Sequence, residues 1–391
     1  MRVLMTGGGT GGHVNPAIAI ADLLKKNIPG TEIAFVGTER GIENRLVPQS
    51  GYELYHVNVA GFSRRHLISV GNLKALYYAL KSPFEAKKIV KEFRPDLVIG
   101  TGGYVSWPLI VAASRMGIPT IVHESNATPG LTVKKLQKYA DEILVNFSET
   151  ADELTEADRV IRVGNPLRGE FGRYTKKEAR EALGIRDDEV FILSYGGSMG
   201  AEKVNDAMLN VMSDYAVRNP KVRCLHATGK LEFEESTRRF REAGLEGNDR
   251  IRMQEYIYDM PLQMAASDIV VCRAGAMTLT ELAMMGKAAV LIPSPNVTNN
   301  HQYKNAAVLA KAGAAVLVQE KELTPERIVS EIRTLAENQD LRASYEERIK
   351  EFADGDTGKR VFRELAHLVG DNRLDLSEED TKAIGDAIAA M

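Results

Sequence analysis

The sequence contains little cysteine and carries no strong charge of either sign. Cys224 and Cys272 are the only cysteines in 391 residues. They are too few for a disulfide framework and wrongly spaced for a zinc site, so we interpret them as buried thiols in a reducing compartment. The formal net charge is only −3, which gives no global indication of a nucleic acid partner. With 44% hydrophobic and 26% charged residues, the composition is that of a soluble globular protein.

Long apolar runs are also absent. No run approaches the roughly 18 apolar residues that a membrane-spanning helix requires. The chain begins at once with a short strand and a glycine loop, without the charged and apolar regions of a signal peptide. We therefore expect a cytoplasmic protein with no spanning helix.

The sequence instead alternates short, continuously apolar runs with longer helical patterns, which is typical of parallel strands covered by helices on both faces. In the first half the runs are Val3-Leu4, 33–36, 97–99, 120–122 and 143–145; in the second half they are 190–193, 222–225, 269–272 and 289–292. This pattern predicts an α/β fold. Because 391 residues exceed what one core usually organises, we expect two domains.

The likeness between two stretches predicts where the second domain begins. "FILSYGGSMGAEKVND" has the strand, glycine turn and helix of "RVLMTGGGTGGHVNPAIAIADLL" near the start. A break is expected at 163–166, where Pro166 hinders continuation of a strand. We predict two Rossmann-like, doubly wound parallel-sheet domains facing a central cleft. They would comprise residues 1–163, joined by a C-terminal helix at about 350–370, and residues 164–349, followed by an acidic tail at 371–391.

Glycine clusters follow predicted strands at three places: 7–12, 101–106 and 196–200. Glycine lets the backbone turn with positive φ, and amides at the start of the next helix can bind an anion. Each cluster is therefore a candidate phosphate loop. The first also matches G-x-G-x-x-G, and Glu39 could hold a ribose as in a dinucleotide-binding oxidoreductase. His13 and Asn15-Pro16 argue against that interpretation, because small packing residues are usual there.

With these loops the sequence resembles the MurG family of bacterial cell-wall glycosyltransferases, which have the two-domain GT-B fold. The matching segments run in the family's order from residue 1 to about 315: "GGGTGGHVNPAIAIA", "GTGGYVSWP", "HESNATPGLTVK", "VGNPLR", "GGSMGAEKVN", "YIYDM", "CRAGAMTLTELAMMGKAAVLIPSP" and "NNHQYKNA". The resemblance implies transfer of N-acetylglucosamine from UDP-GlcNAc to the C4 hydroxyl of the muramyl sugar of lipid I. The product would be lipid II, formed with inversion, in the peptidoglycan synthesis on which cell shape and division depend.

The resemblance also implies a donor site, mostly in the C-terminal domain. Glu281 would accept hydrogen bonds from the ribose hydroxyls, Ile257 would contact uracil through its backbone, and Gln302 would hold sugar hydroxyls, with the share of His301 left open. The other implied donor-binding residues are Thr10, Gly11, Gly12, Asn126, Arg168, Ser198, Ala276, Met277, Thr278, Leu279 and Thr280. Two structural alternatives remain open. Thr278 and Glu281 fit a helix capping box, and Arg168 fits a surface cation beside a hinge.

Inversion requires a base that accepts the proton of the acceptor hydroxyl. His13 is the first candidate, because a helix N-terminus disfavours its charged form; alternatively, it only positions the loop. Glu124 is the other candidate base. Gly103, Tyr104 and Ser106 would lie near the acceptor pyrophosphate. The resemblance implies no cofactor and no obligatory metal, and Asp354-Gly355-Asp356 is interpreted as a solvated turn.

A basic amphipathic segment is expected to meet the membrane. Residues 63–95 hold eight bases and two acids, with Leu73, Leu76, Tyr77, Leu80 and Phe84 at helical spacing, which is typical of a surface for anionic headgroups. The alternative, favoured for most of these residues, is a stripe that enters the core. The resemblance implies a peripheral enzyme on the cytoplasmic face of the plasma membrane, with other cell-wall synthesis proteins as partners.

Three rival functions are weighed against the lipid I transferase. They are a UDP-GlcNAc 2-epimerase of the same fold, another UDP-sugar-dependent lipid glycosyltransferase, and a nucleotide-sugar-binding protein without catalysis. An epimerase needs neither "GTGGYVSWP" nor the basic segment.

Overall fold

The chain folds into two compact units, Met1–Arg168 with Asp354–Met391, and Gly169–Ala353. The computed structural model describes residues 1–60, 70–167, 171–197, 199–353 and 356–370. Arg168, Ser198, the bases Arg64 and Arg65, most of the Asp354-Gly355-Asp356 turn and the 371–391 tail thus lie outside the described residues.

The first unit contains a parallel sheet of seven strands in the order β3-β2-β1-β4-β5-β6-β7. The strands are β1 (Arg2–Thr6), β2 (Glu32–Gly37), β3 (Glu53–His56), β4 (Leu97–Gly100), β5 (Thr120–Glu124), β6 (Glu142–Val145) and β7 (Val160–Arg162). Its first helices are α1 (Gly11–Asn27), α2 (Glu43–Gln49), α3 (Val70–Phe93), α4 (Ser106–Arg115) and α5 (Leu131–Leu136). All residues of β4, β5 and β6 are buried, which explains the apolar runs at 97–99, 121–122 and 143–145.

The second unit contains a parallel sheet of six strands in the order β10-β9-β8-β11-β12-β13. The strands are β8 (Val190–Tyr195), β9 (Val222–Ala227), β10 (Ile251–Gln254), β11 (Ile269–Cys272), β12 (Ala288–Leu291) and β13 (Val316–Leu317). The helices are α6 (Lys176–Leu183), α7 (Glu202–Val211), α8 (Phe233–Glu242), α9 (Met260–Ala266), α10 (Ala276–Met285), α11 (His301–Lys311), α12 (Pro325–Glu337) and α13 (Gln339–Lys350). A capping box starts α6 at Thr175, and Gly184, in the left-handed conformation, ends it.

The last helix of the described residues, α14 (Thr357–Gly370), belongs to the first unit although the whole second unit precedes it in the chain. Val361, Phe362 and Leu368 are buried there in the core that contains Met1 and Val3. Fully burying side chains of this size contributes about 1.5–3 kcal/mol each. The second unit is therefore inserted between two pieces of the first.

Candidate active site

In the first unit, two glycine loops lie side by side at the point where the strand order reverses. β1 leads into 7–10 and α1, and its neighbour β4 leads into 101–105 and α4. From β1 the chain continues to one side of the sheet, and from β4 to the other. In open α/β sheets, ligands bind at the carboxyl ends of the strands beside such a switch point.

Direct contacts join these two loops. The Thr101 hydroxyl donates to the carbonyl oxygen of His13 at 2.6 Å. Gly103 has a φ of +78°, and a Cβ atom there would lie 2.3 Å from the carbonyl oxygen of Gly8. Only glycine allows both that conformation and that approach. The first two predicted loops are therefore parts of one structure.

His13 lies in the first turn of α1 and is half-buried. Its Nδ1 is 3.0 Å from the carbonyl oxygen of Gly8 and 3.3 Å from the Thr10 hydroxyl. A carbonyl oxygen only accepts hydrogen bonds, so Nδ1 carries the proton and Nε2 keeps its lone pair. Nε2 has no hydrogen-bond partner among the described residues, so it is free to accept a proton.

The three predicted acceptor-binding residues differ in which of their groups an acceptor could reach. Tyr104 is 41% exposed, and Gly103 supplies backbone only. Ser106 is fully buried, and its hydroxyl donates to the carbonyl oxygen of Gly102 at 2.8 Å. The side chain of Ser106 thus stabilises the turn that carries Tyr104.

Glu124 and Asn126 form a second cluster of the first unit, after β5. The Glu124 carboxylate is buried and accepts hydrogen bonds from the backbone and side chain of Asn126, both at 2.9 Å, and from the amide of Gly130 at 2.8 Å. Both carboxylate oxygens are occupied within the loop. Its contacts are those of a residue that holds 125–130 in shape.

Glu43 is a buried acid at this site that the sequence analysis missed. It accepts hydrogen bonds from the amide and hydroxyl of Thr38, at 3.0 and 2.6 Å, and from the amide of Gly9 at 3.2 Å. Glu39, the acid that the sequence singled out, is exposed. The signal that could have found Glu43 is an acid shortly after Gly37, where β2 ends.

In the second unit, the switch point lies between β8 and β11. The loop 196–200 follows β8 and the loop 273–275 follows β11. A buried network joins β8 and α7, the elements on either side of the 196–200 loop, to β9: the Asn205 amide donates to the carbonyl oxygen of Thr228 at 3.1 Å, His226 lies 3.0 Å from Asn205, and Ser194 lies 2.8 Å from His226. Burial lowers the pKa of His226 to about 4, so the imidazole is neutral.

The N-terminus of α10 shows that Glu281 is not part of a capping box. Gly275 is the N-cap and makes no side-chain cap bond, so Thr278 lies inside the first turn and the capping-box interpretation is wrong. Ala276, Leu279 and Thr280 are buried; Met277 and Thr278 are half-buried.

Glu281 itself is half-buried and has no hydrogen-bond or ion-pair partner among the described residues. Burial raises the pKa of Glu281 to about 8. An acid held in this state without a partner is typical of a functional site.

The backbone of Ile257 and the side chain of Gln302 present polar groups in the second unit. Ile257 has a buried side chain, while its amide and carbonyl make no hydrogen bonds within the described part of the chain. Gln302 accepts the amide of Ser294 through Oε1 at 2.9 Å, which leaves its NH2 group for other contacts. Its neighbour His301 begins α11.

The apolar stripe on α3 faces outward. The exposed side chains are Leu73, Leu76, Tyr77, Leu80 and Phe84, so the expectation that most of them enter the core is wrong. Ala75, Ala86 and Val90 of the same helix are buried instead. In the described ranges, no helix is long and apolar enough to cross a membrane. Likewise, no three His, Cys, Asp or Glu side chains there form a group that could hold a metal ion.

Two doubly wound parallel-sheet domains with glycine loops at their switch points form the GT-B fold, on which glycosyltransferases are built. The family models for the glycosyltransferase family 28 N-terminal and C-terminal domains match residues 3–145 and 191–359. The UDP-N-acetylglucosamine–N-acetylmuramyl-(pentapeptide) pyrophosphoryl-undecaprenol N-acetylglucosamine transferase of Thermoanaerobacter sp. (strain X514) is 40% identical over 93% of this chain and 98% of that protein. The chain therefore belongs to this transferase family, whose short name is MurG.

Solved structures agree with this assignment. The crystal structure of Acinetobacter baumannii MurG has a TM-score of 0.73 and 29% identity, covering 92% of this chain and 97% of that chain. A UDP-GlcNAc 2-epimerase from Neisseria meningitidis bound to UDP-GlcNAc has a TM-score of 0.65 and 15% identity, covering 94% and 100%. The likeness to the epimerase shows the fold alone.

Proposed function

We propose that this protein transfers N-acetylglucosamine from UDP-GlcNAc to the C4 hydroxyl of the muramyl sugar of lipid I, giving lipid II. Membership of the transferase family over both domains supports the reaction class. The observation that carries the catalytic proposal is His13, whose Nδ1 is held by a carbonyl while Nε2 stays free.

His13 accepts the proton of the acceptor hydroxyl through Nε2. The hydroxyl oxygen then forms a bond to the anomeric carbon of the donor sugar as the bond from that carbon to the β-phosphate oxygen breaks. UDP leaves with the electron pair, and the configuration inverts. A positioned base of this kind contributes about 10²–10⁴-fold to the rate. His13 is favoured over Glu124, because both oxygens of Glu124 already accept hydrogen bonds.

The second unit binds the donor. Glu281 accepts the two ribose hydroxyls, the free backbone groups of Ile257 meet uracil, and the NH2 group of Gln302 meets the sugar. The first-turn amides of α10, at Ala276, Met277 and Thr278, point to the pyrophosphate, where the helix dipole stabilises the charge of departing UDP. Ser198 and Arg168, which lie outside the described residues, are assigned to phosphate binding as well, and Leu279 and Thr280 support the turn.

The first unit contributes its own residues to the proposed reaction. The amides of Gly11 and Gly12 and the hydroxyl of Thr10 are assigned to phosphate binding, and Asn126 to a hydroxyl of the donor sugar. Tyr104 and the Gly103 backbone contact the acceptor pyrophosphate, and Ser106 holds that turn. These roles require no metal.

The enzyme works as a peripheral protein on the cytoplasmic face of the plasma membrane. The exposed stripe of α3 supplies apolar contact, and Lys81, Lys87, Lys88 and Lys91, all exposed, meet anionic headgroups. An acceptor carried on a lipid requires such a surface.

The test is incubation of the protein with radiolabelled UDP-GlcNAc, with and without a short-chain lipid I analogue. We expect UDP release and labelled lipid only when the acceptor is present. Formation of the C2 epimer without acceptor would instead support the epimerase alternative. Donor binding without either reaction would support a binding protein.

A further inference from the structure

One peptide group connects a buried carboxylate to His13. The carbonyl oxygen of Gly8 lies 3.0 Å from His13 Nδ1, and the amide of Gly9 donates to Glu43 Oε2 at 3.2 Å. The carbonyl of residue 8 and the amide of residue 9 belong to the same planar peptide unit. The contacts therefore form a chain of carboxylate, peptide and imidazole.

We propose that Glu43 is a positioning residue for the transfer reaction, acting on His13 through the peptide group between Gly8 and Gly9. The proposal rests on the function proposed above. A negative charge at the amide end polarises the peptide and strengthens its carbonyl as an acceptor. The strengthened carbonyl holds the proton on Nδ1 and keeps Nε2 as the proton-accepting nitrogen.

Hydrogen bonds from nearby residues keep the Glu43 carboxylate ionised. The side chain is fully buried, and burial acts to raise its pKa. Hydrogen bonds from Thr38 and from the Gly9 amide outweigh this effect and lower the pKa of Glu43 below its ordinary value. The carboxylate accepts at both oxygens, so it stays ionised at neutral pH.

Three glycines clear the space for this chain of contacts. A Cβ atom at Gly8 would lie 3.0 Å from the Glu43 carboxylate, one at Gly103 would lie 2.3 Å from the Gly8 carbonyl oxygen, and one at Gly102 would lie 2.8 Å from His13 Cδ2. Two glycine loops thus make room for one hydrogen-bonded chain. A loop that only turned the backbone would not need glycine at each of these contacts.

Nitrogen NMR of the imidazole, recorded without substrates, tests the tautomer directly. In protein labelled with ¹⁵N-histidine, we expect the neutral form of His13 to show a protonated Nδ1 and an unprotonated Nε2. In Glu43→Gln the side-chain NH2 can no longer accept from Gly9, and we expect the two nitrogen shifts to move towards a mixture of tautomers. Unchanged shifts in the folded variant would overturn the proposal.

Kinetics separate positioning from mere support of the loop. We expect Glu43→Gln to lower kcat by about 10–100-fold with little change in the KM for UDP-GlcNAc, and to add nothing in a His13→Ala background. The control is Asn44→Ala, which removes side-chain hydrogen bonds to the carbonyl oxygens of Thr38 and Gly41 but none of the hydrogen bonds to Glu43. Equal losses in the two variants would contradict the proposal.

Glu43→Asp provides a second variant if the glutamine protein does not fold. Its shorter side chain can keep Thr38 while withdrawing from Gly9, so the same shift in tautomers is expected. The NMR measurement needs no substrate, so the two proposals can fail separately. A protein without transferase activity would contradict the proposed function but not the tautomer result. An active protein whose His13 carries the proton on Nε2 would contradict the role of Glu43 but not the proposed function.

Discussion

The backbone nitrogen of Gly200 lies 2.1 Å from the point where a Cβ atom on Gly229 would stand. The loop after β8 and the loop after β9 are therefore in direct backbone contact in the second unit. Gly200 and Gly229 both have positive φ, at +98° and +77°. The shape of the 196–200 loop, a candidate phosphate loop, depends on this contact.

We predict that Gly229→Ala displaces the 196–200 loop and weakens UDP-GlcNAc binding by about tenfold or more. The matched control is Gly244→Ala, because Gly244 has a similar φ of +70° with nothing near its Cβ position. Both variants lose about 1–2 kcal/mol to backbone strain, but only the first meets backbone atoms. Calorimetric titration with the donor and thermal unfolding measure the two effects, and equal donor affinities would contradict the prediction.

His13→Ala is expected to lower kcat by about 100-fold or more, since the base is lost, while binding of UDP-GlcNAc stays nearly unchanged. His56→Ala is the control, since His56 is an exposed histidine of the same unit that contacts Asn44. Steady-state kinetics with both substrates provide the comparison. A variant that keeps its kcat would show that His13 only positions the loop.

Donor binding should depend on pH through Glu281. With a pKa of about 8, most of the free protein carries the neutral acid at pH 7, whereas acceptance of two ribose hydroxyls requires the carboxylate. We expect the Kd for UDP-GlcNAc to rise by up to about tenfold per pH unit below pH 8. Glu281→Gln should bind more weakly by about tenfold and lose this dependence. A wild-type Kd that stays constant from pH 6 to pH 8 would argue against this role.

The lowered pKa of Lys287 predicts that the free energy of unfolding depends on pH. Its Nζ donates to the carbonyl oxygens of Ala265 and Ser267, each at 2.8 Å, and burial lowers its pKa from 10.5 to about 7. Between these values the unfolded chain binds more protons, so stability rises with pH. Relative to Lys287→Met, the wild type should gain about 1 kcal/mol or more from pH 7 to pH 10 in denaturant unfolding. Lys177→Met, at an exposed lysine, should show no such gain.

The outward stripe of α3 should bind vesicles. Leu76→Ser with Leu80→Ser is expected to weaken binding to anionic phospholipid vesicles by about tenfold or more, because apolar area no longer enters the bilayer. Leu231→Ser is the control, since Leu231 is a similarly exposed leucine of the second unit. Activity on a water-soluble acceptor should stay unchanged. Equal vesicle binding by all three proteins would refute the assignment.

The sequence predicted the central strands and missed most of the edges. The strands absent from the predicted set are β3, β10 and β13, three of the four outermost strands; the fourth, β7, is the strand that was expected to end at 163–166. The residues of the three missed strands are mostly half-buried or exposed, so they lack the continuous apolar run that identified the others. Periodicity detects burial on both faces, and an edge strand does not have it.

The sequence analysis could single out candidate residues that stand near glycine turns, but not a residue whose contacts are made with the backbone of a distant loop. His13 and Glu281 stand out in the sequence beside glycine turns. Glu43 does not, because its function depends on an amide more than thirty residues away. The capping box failed for a related reason: Gly275 begins α10 without a side chain, so the position of Thr278 in the helix could not be read from its spacing to Glu281.

The return of α14 to the first unit sets an order of events during synthesis. A ribosome that has made residues 1–353 has not yet supplied Val361, Phe362 and Leu368, which the core around Met1 requires. The inserted second unit has all of its residues by then. The half of the protein that is translated first is therefore completed last, and a chain that is cut short just before α14 lacks three buried side chains in the core of the unit that carries His13.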